Sequence, residues 1–91
     1  MKNLFDIKNK VIVITGGCGI LGKNIANYLA EQGAKIVILD RVEEAGRELE
    51  AELNRKSEAL FLVTDVLNKE VLEENKKAIL ERFGTIDVLL N

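Results

Sequence analysis

The chain has 91 residues, with 13 basic and 15 acidic side chains and a formal charge of −2; this length predicts at most one small domain, and this charge gives no general attraction to nucleic acid or to an anionic membrane. A single cysteine excludes an internal disulfide, and the lack of histidine removes the usual zinc ligand sets. With 47% hydrophobic and 31% charged residues, the composition is that of a soluble globular chain rather than a disordered one.

The first ten residues, MKNLFDIKNK, carry no apolar signal-peptide core. No apolar run reaches the length of a membrane span, so the expectation is a cytoplasmic protein. Val11-Ile12-Val13-Ile14 is the first of four short, mostly β-branched runs. The others are Ile36–Leu39, Leu60–Val63 and Ile86–Leu90. Near-continuous apolar runs of this kind predict strands covered on both faces, as in a parallel sheet.

Amphipathic stretches lie between the runs. In the first, Leu21, Ile25 and Leu29 recur every four residues with Ala26 and Ala30 beside them, and Gly33 supplies a stop. In the second, Val42, Ala45, Leu49 and Leu53 form the apolar face. Its outer side pairs Glu43 with Arg47 and Glu52 with Lys56 at the favourable acid-before-base spacing, and the charges out to Glu58 read as a solvated face. In the third, Asn68 is the expected N-cap, Gly84 the C-terminal stop, and Val71, Leu72, Ala78, Ile79 and Phe83 the buried face. The order βαβαβαβ predicts an α/β fold, a Rossmann-type doubly wound parallel sheet that is incomplete. Neither proline nor low-complexity sequence interrupts it, so residues 1–91 read as one structural unit, the N-terminal portion of a single domain.

The turn after the first strand, Thr15-Gly16-Gly17-Cys18-Gly19-Ile20-Leu21-Gly22, is the densest cluster of glycine in the chain. A helix that begins there offers unpaired N–H groups and partial positive charge to a pyrophosphate, provided no Cβ blocks the approach. Gly16 is expected to allow the tight turn, Gly19 the close approach, and Gly22 the packing of helix on strand. No Gly-Lys-Ser/Thr ends the loop, so it is not a Walker loop. Asp40 closes the second strand at roughly the 20-residue spacing of an acid that receives ribose hydroxyls. A carboxylate there favours NAD over NADP by repelling a 2′-phosphate, although Arg41 beside it is able to pair with one.

Together with this turn and Asp40, Thr64-Asp65-Val66 and the closing run Gly84-Thr85-Ile86-Asp87-Val88-Leu89-Leu90-Asn91 resemble the short-chain dehydrogenase/reductase family from about Phe5 onward. The resemblance implies an NAD(P)-dependent oxidoreductase transferring a hydride to or from a hydroxy or keto substrate. It implies that Asp65 and the Val66 amide hold the adenine ring, and that Asn91 opens a turn bordering the cofactor. Thr15, Ile20, Leu21 and Arg41 join the implied cofactor site. The glycine spacing TGxxGxxG is closer to the extended branch of the family than to the compact branch, whereas Asp65-Val66 and GxIDVLLN resemble the compact branch. Leu4-Phe5-Asp6-Ile7 before the turn is similar to sugar-acid oxidoreductases of the fructuronate/mannonate kind.

Other candidates have simpler readings. Cys18 sits near a helix N-terminus, which can lower a thiol pKa, but is expected to be a small residue tolerated beside the phosphates. Tyr28 is followed four residues later by Gln32 rather than by lysine, so it is expected to pack on the first helix rather than donate a proton. Thr15 is expected to tie down the turn, and Asp87 to cap or pair locally.

By resemblance, the serine, tyrosine and lysine that reduce a carbonyl lie beyond the fourth strand. Residues 1–91 alone are therefore expected to be inactive, to expose Ile86, Val88, Leu89 and Leu90 on an edge strand, and to self-associate. Two alternatives stand beside the enzyme reading: a non-catalytic module that senses a nucleotide, and a truncated fragment without activity. The implied partners are a dinucleotide, a small-molecule substrate of the larger enzyme and a second copy of the protein in a homo-oligomer.

Overall fold

A computed structural model describes residues 6–91, so Leu4 and Phe5 of the sugar-acid signature lie outside the described residues. The elements are β1 (Val11–Thr15), α1 (Ile20–Glu31), β2 (Lys35–Asp40), α2 (Glu43–Asn54), β3 (Ala59–Val63), α3 (Lys69–Phe83) and β4 (Val88–Leu90). They form one parallel sheet in the order β3-β2-β1-β4, with Ile12 opposite both Ile36 and Val88, and Ile38 opposite Phe61.

Strand periodicity divides the core into two layers. Successive side chains point to opposite faces, so Ile12, Ile14, Ile36, Ile38 and Phe61 meet α1 and α2, while Val11, Val13, Val37 and Leu39 meet Ile79 of α3. Each such side chain, fully buried, contributes about 1.5–3 kcal/mol. On α2 the close approach to the sheet depends on Gly46, because a Cβ there would fall inside the Phe61 ring.

The expected helix ends are present. Asn68 Oδ1 accepts from the N–H groups of Glu70 and Val71 at 3.0 and 3.2 Å, and Gly84 ends α3 in the left-handed region at φ 81°. β4 is shorter than expected because Asp87 turns to bond the neighbouring strand. Its Oδ2 accepts from Val11 N–H at 2.8 Å, and its own N–H donates to the Val11 carbonyl. On β4, Val88 and Leu89 are exposed and Leu90 is half-buried, as is Ile86 just before the strand.

Three side-chain expectations are corrected. The buried residues of α1 are Ala26 and Ala30, with Leu29 packed beside them, whereas Leu21 points outward at 74% exposure; it lies in the first turn, on the rim of an open cleft. Tyr28 is exposed rather than packed. Glu43 does pair with Arg47, but Glu52 does not pair with Lys56. Lys56 reaches across to Glu31 and Asn27 on α1, and Asn27 donates to Glu52, which holds that carboxyl below its usual range. The Lys56 contacts tie the end of α2 to α1 in place of one of the two expected pairs.

Candidate functional site

At the C-terminal end of β1 the chain must reverse and enter α1. Gly16 does so at φ 68°, in the left-handed region where glycine is favoured, and its N–H donates to the Leu39 carbonyl of β2 at 2.8 Å. The remaining glycines fall into two groups. A Cβ on Gly17 would lie 2.8 Å from Ile38 Cδ1, and one on Gly22 would lie 2.9 Å from Gly17 Cα and 3.0 Å from the Gly16 oxygen. The backbone contacts demand glycine at Gly22, whereas at Gly17 the tip of Ile38 would have to move. Gly17, not Gly22, is the residue that seats the turn on the strands; Gly22 seats the helix on the turn. A Cβ on Gly19 would meet only the Gly16 oxygen, at 3.9 Å, so the protein's own contacts leave that side open.

Gly19 is also the N-cap of α1. No side chain caps this helix and no acidic residue occupies its first turn. The N–H groups and the positive end of its dipole are left facing an open cleft bordered by Thr15, Gly16, Ile20, Leu21 and Asn91. Such a terminus is suited to an anion. Thr15 closes the far wall, its hydroxyl within hydrogen-bond reach of the Leu90 carbonyl at 3.4 Å and Asn91 Oδ1 at 3.2 Å. It ties the end of β1 to the end of β4, not to the glycine turn as expected.

Asp40 stands at the end of β2, half-buried, with both carboxylate oxygens already oriented. Oδ2 accepts from Cys18 N–H and Oδ1 from Val42 N–H, each at 3.1 Å. Each oxygen keeps a further lone pair. Asp40 and Arg41 border a second cleft with Thr15, Gly16, Thr64 and Val66. The two clefts share Thr15 and Gly16, so they meet over the end of β1. Together they bring in every sequence-predicted cofactor residue except Asp65. That residue lies in an open pocket at the start of α3, where its Oδ1 accepts from Leu67 N–H at 3.0 Å.

Cys18 is not an activated thiol. Burial, the Asp40 charge and a hydrogen bond to Asp40 push it up to about 11, against the pull of Lys23. It faces a small polar pocket between α1 and α2, with Lys23, Glu48 and Glu52, apart from the two clefts. Sequence reasoning named Thr64 only within the Thr64-Asp65-Val66 match and missed its buried partner Asn75; the two are 1% and 8% exposed. The available signal was position: Asn75 falls three residues after Leu72 and four before Ile79, on the face that α3 buries. Among the described residues no cluster of histidine, cysteine, aspartate or glutamate could hold a metal ion, and no helix is long and apolar enough to cross a membrane.

Residues 10–91 match the short chain dehydrogenase family. An uncharacterized oxidoreductase of Bacillus subtilis (strain 168), UxuB, is 38% identical over 87 residues, covering 94% of this chain and 31% of its own. A provisionally named D-mannonate oxidoreductase from Haemophilus influenza, solved with NAD bound, superposes with a TM-score of 0.87 at 36% identity, over 92% of this chain and 30% of that one. L-Sorbose reductase from Gluconobacter frateurii, solved with NADPH and L-sorbose, gives a TM-score of 0.85 at 30% identity, over 93% and 34%. The chain spans about a third of the length of the curated relatives it matches.

Proposed function

The chain belongs to the short-chain dehydrogenase family, and on that premise we propose that residues 1–91 are the NAD-binding portion of an oxidoreductase acting on a small hydroxy or keto substrate. The observation that carries this reading is the placement of Asp40. Its carboxylate is fixed by two backbone amides, on the same edge of the sheet as the uncapped N-terminus of α1. A phosphate seat and a hydroxyl acceptor are thus held in one rigid frame.

The residues fit a dinucleotide. The open side of Gly19 and the free N–H groups of the first turn of α1 would hold the pyrophosphate. Asp40 would accept the hydroxyls of the adenosine ribose, and Val66 and Asp65 would border the adenine. When bound, the nicotinamide supplies the hydride chemistry. The Asp40 carboxylate would repel a 2′-phosphate, and Arg41 partly offsets that repulsion, so NAD is the preferred cofactor. The serine, tyrosine and lysine of proton transfer lie outside these residues in this reading, and residues 1–91 bind cofactor without turning it over. The similarity to a D-mannonate oxidoreductase and to L-sorbose reductase supports a sugar-acid or related polyhydroxy substrate. A cytoplasmic homo-oligomer belongs to the same reading.

Calorimetric titration with NADH and NADPH tests it. The expected result is saturable binding of both, with NADH at least about tenfold tighter. Equal affinities overturn the NAD preference, and no binding of either overturns the cofactor reading itself.

A further inference from the structure

The segment between β3 and α3 carries Asp65 and Val66, and both are exposed. What holds the segment is a polar contact inside the layer between sheet and helix. Asn75 Nδ2 donates to Thr64 Oγ1 at 2.7 Å, and Thr64 Oγ1 donates to the Leu62 carbonyl at 2.8 Å. A hydroxyl has one proton; with that proton on Leu62, the oxygen can only accept from Asn75, which fixes the orientation of the amide. The Thr64 N–H donates to the Asp40 carbonyl at 2.8 Å. A continuous path of hydrogen bonds thus runs from the middle of α3, through Thr64, to the residue that orients on the glycine turn.

Both residues are buried, and Asn75 shares the wall of an apolar cleft with Leu39, Leu72 and Ile79. Two apolar residues of the same shape could fill that space with little loss of stability. The polar contact adds something that apolar packing lacks, a fixed direction for Thr64 and for the two residues that follow it.

We propose, resting on the dinucleotide reading above, that Asn75 is a positioning residue for the adenosine half of the cofactor: its amide holds the Thr64 hydroxyl and so sets Thr64-Asp65-Val66 against the end of β2. Asn75 lines a neighbouring cleft with Leu39, Val66 and Leu72; its effect on Asp65 and Val66 runs through Thr64.

The test compares NADH and AMP binding with thermal stability in Asn75→Leu, Thr64→Val and the double variant. Each single variant should weaken both ligands about five- to tenfold, the effect of one hydrogen bond of ordinary strength. In the double variant no polar group is left unpaired, so the melting temperature should recover toward that of the unsubstituted protein while the affinity does not. The loss should not exceed that of the weaker single variant, because both substitutions remove the same contact. Affinity that recovers together with the melting temperature shows a structural contact only and overturns the proposal. So does unchanged affinity in Thr64→Val and the double variant, which carry the test if Asn75→Leu does not fold. A loss seen with NADH but not with AMP also overturns it. If the unsubstituted protein binds neither ligand, the dinucleotide reading fails and takes this proposal with it.

Discussion

The backbone N–H of Cys18 donates to Oδ2 of Asp40 at 3.1 Å, joining the turn after β1 to the last residue of β2. The second oxygen of the same carboxylate is held by Val42 N–H at an equal distance. The carboxylate is oriented before any ligand arrives, so little ordering remains to be done on binding.

Replacing Asp40 with alanine should remove the acceptor for the ribose hydroxyls. Hydrogen bonds to a charged group contribute about 1.5–3 kcal/mol, so NADH affinity should fall roughly 10- to 100-fold. NADPH affinity should fall less or rise, because the repulsion at its 2′-phosphate is gone and Arg41 remains. Calorimetry on Asp40→Ala with both cofactors checks the pair of outcomes; equal losses would place Asp40 outside the ribose site.

Gly46 and Gly22 should both resist enlargement, with different consequences. A methyl group on Gly46 enters the Phe61 ring, so Gly46→Ala should push α2 off the sheet at a cost of about 1–3 kcal/mol. Thermal melting should show the loss, while NADH affinity of the folded protein stays near normal. Gly22→Ala presses on the backbone of Gly16 and Gly17 and should lower stability and affinity together. A Gly46→Ala protein that melts like the unsubstituted one would contradict the packing derived for α2.

Cys18 should make stability fall at alkaline pH. Its thiol titrates near 9.0 without perturbation and is pushed up to about 11 in the fold. Above 9.0 the unfolded chain therefore gives up the proton first. This contribution is fully present below about 9 and is lost as pH rises through about 11. Denaturant titrations of the unsubstituted protein and Cys18→Ala across that window should differ in slope, with the steeper fall in the unsubstituted protein. Native protein at pH 8 should also react with iodoacetamide more slowly than the same protein in urea. Rapid native alkylation would mean that the thiol is activated after all.

Much of this arrangement was legible in the sequence, and the residues show why. Strand and helix identity, the caps at Asn68 and Gly84, and the turn at Gly16 all follow from local pattern and backbone chemistry. Misreadings arose where an outcome depended on contact between elements. Leu21 matches the helical period as well as Ala26 does, yet it sits in the first turn on the rim of the open cleft, while Ala26 lies over the sheet. Lys56 has an acid at the favoured spacing, but α2 ends at Asn54 before reaching it, and it pairs across to α1 instead. Asn75 lies between Glu74 and Lys76 in what reads as a solvated run, and its burial depends on Thr64, eleven positions earlier in the chain. Asp65 and Val66 are adjacent in sequence, but only Val66 borders the cleft with Asp40.

The central claim is that a dinucleotide lies across the C-terminal ends of the strands, over Gly19 and Asp40. Amide chemical shifts followed during titration with NADH test it most directly in a chain of 10.1 kDa. The expected result is a single set of concentration-dependent shifts in Gly19, Ile20, Leu21, Gly22, Asp40 and Val66, with the outer face of α2 unmoved. Shifts confined to the pocket of Lys23, Glu48 and Glu52, or no shifts at all, would contradict the claim.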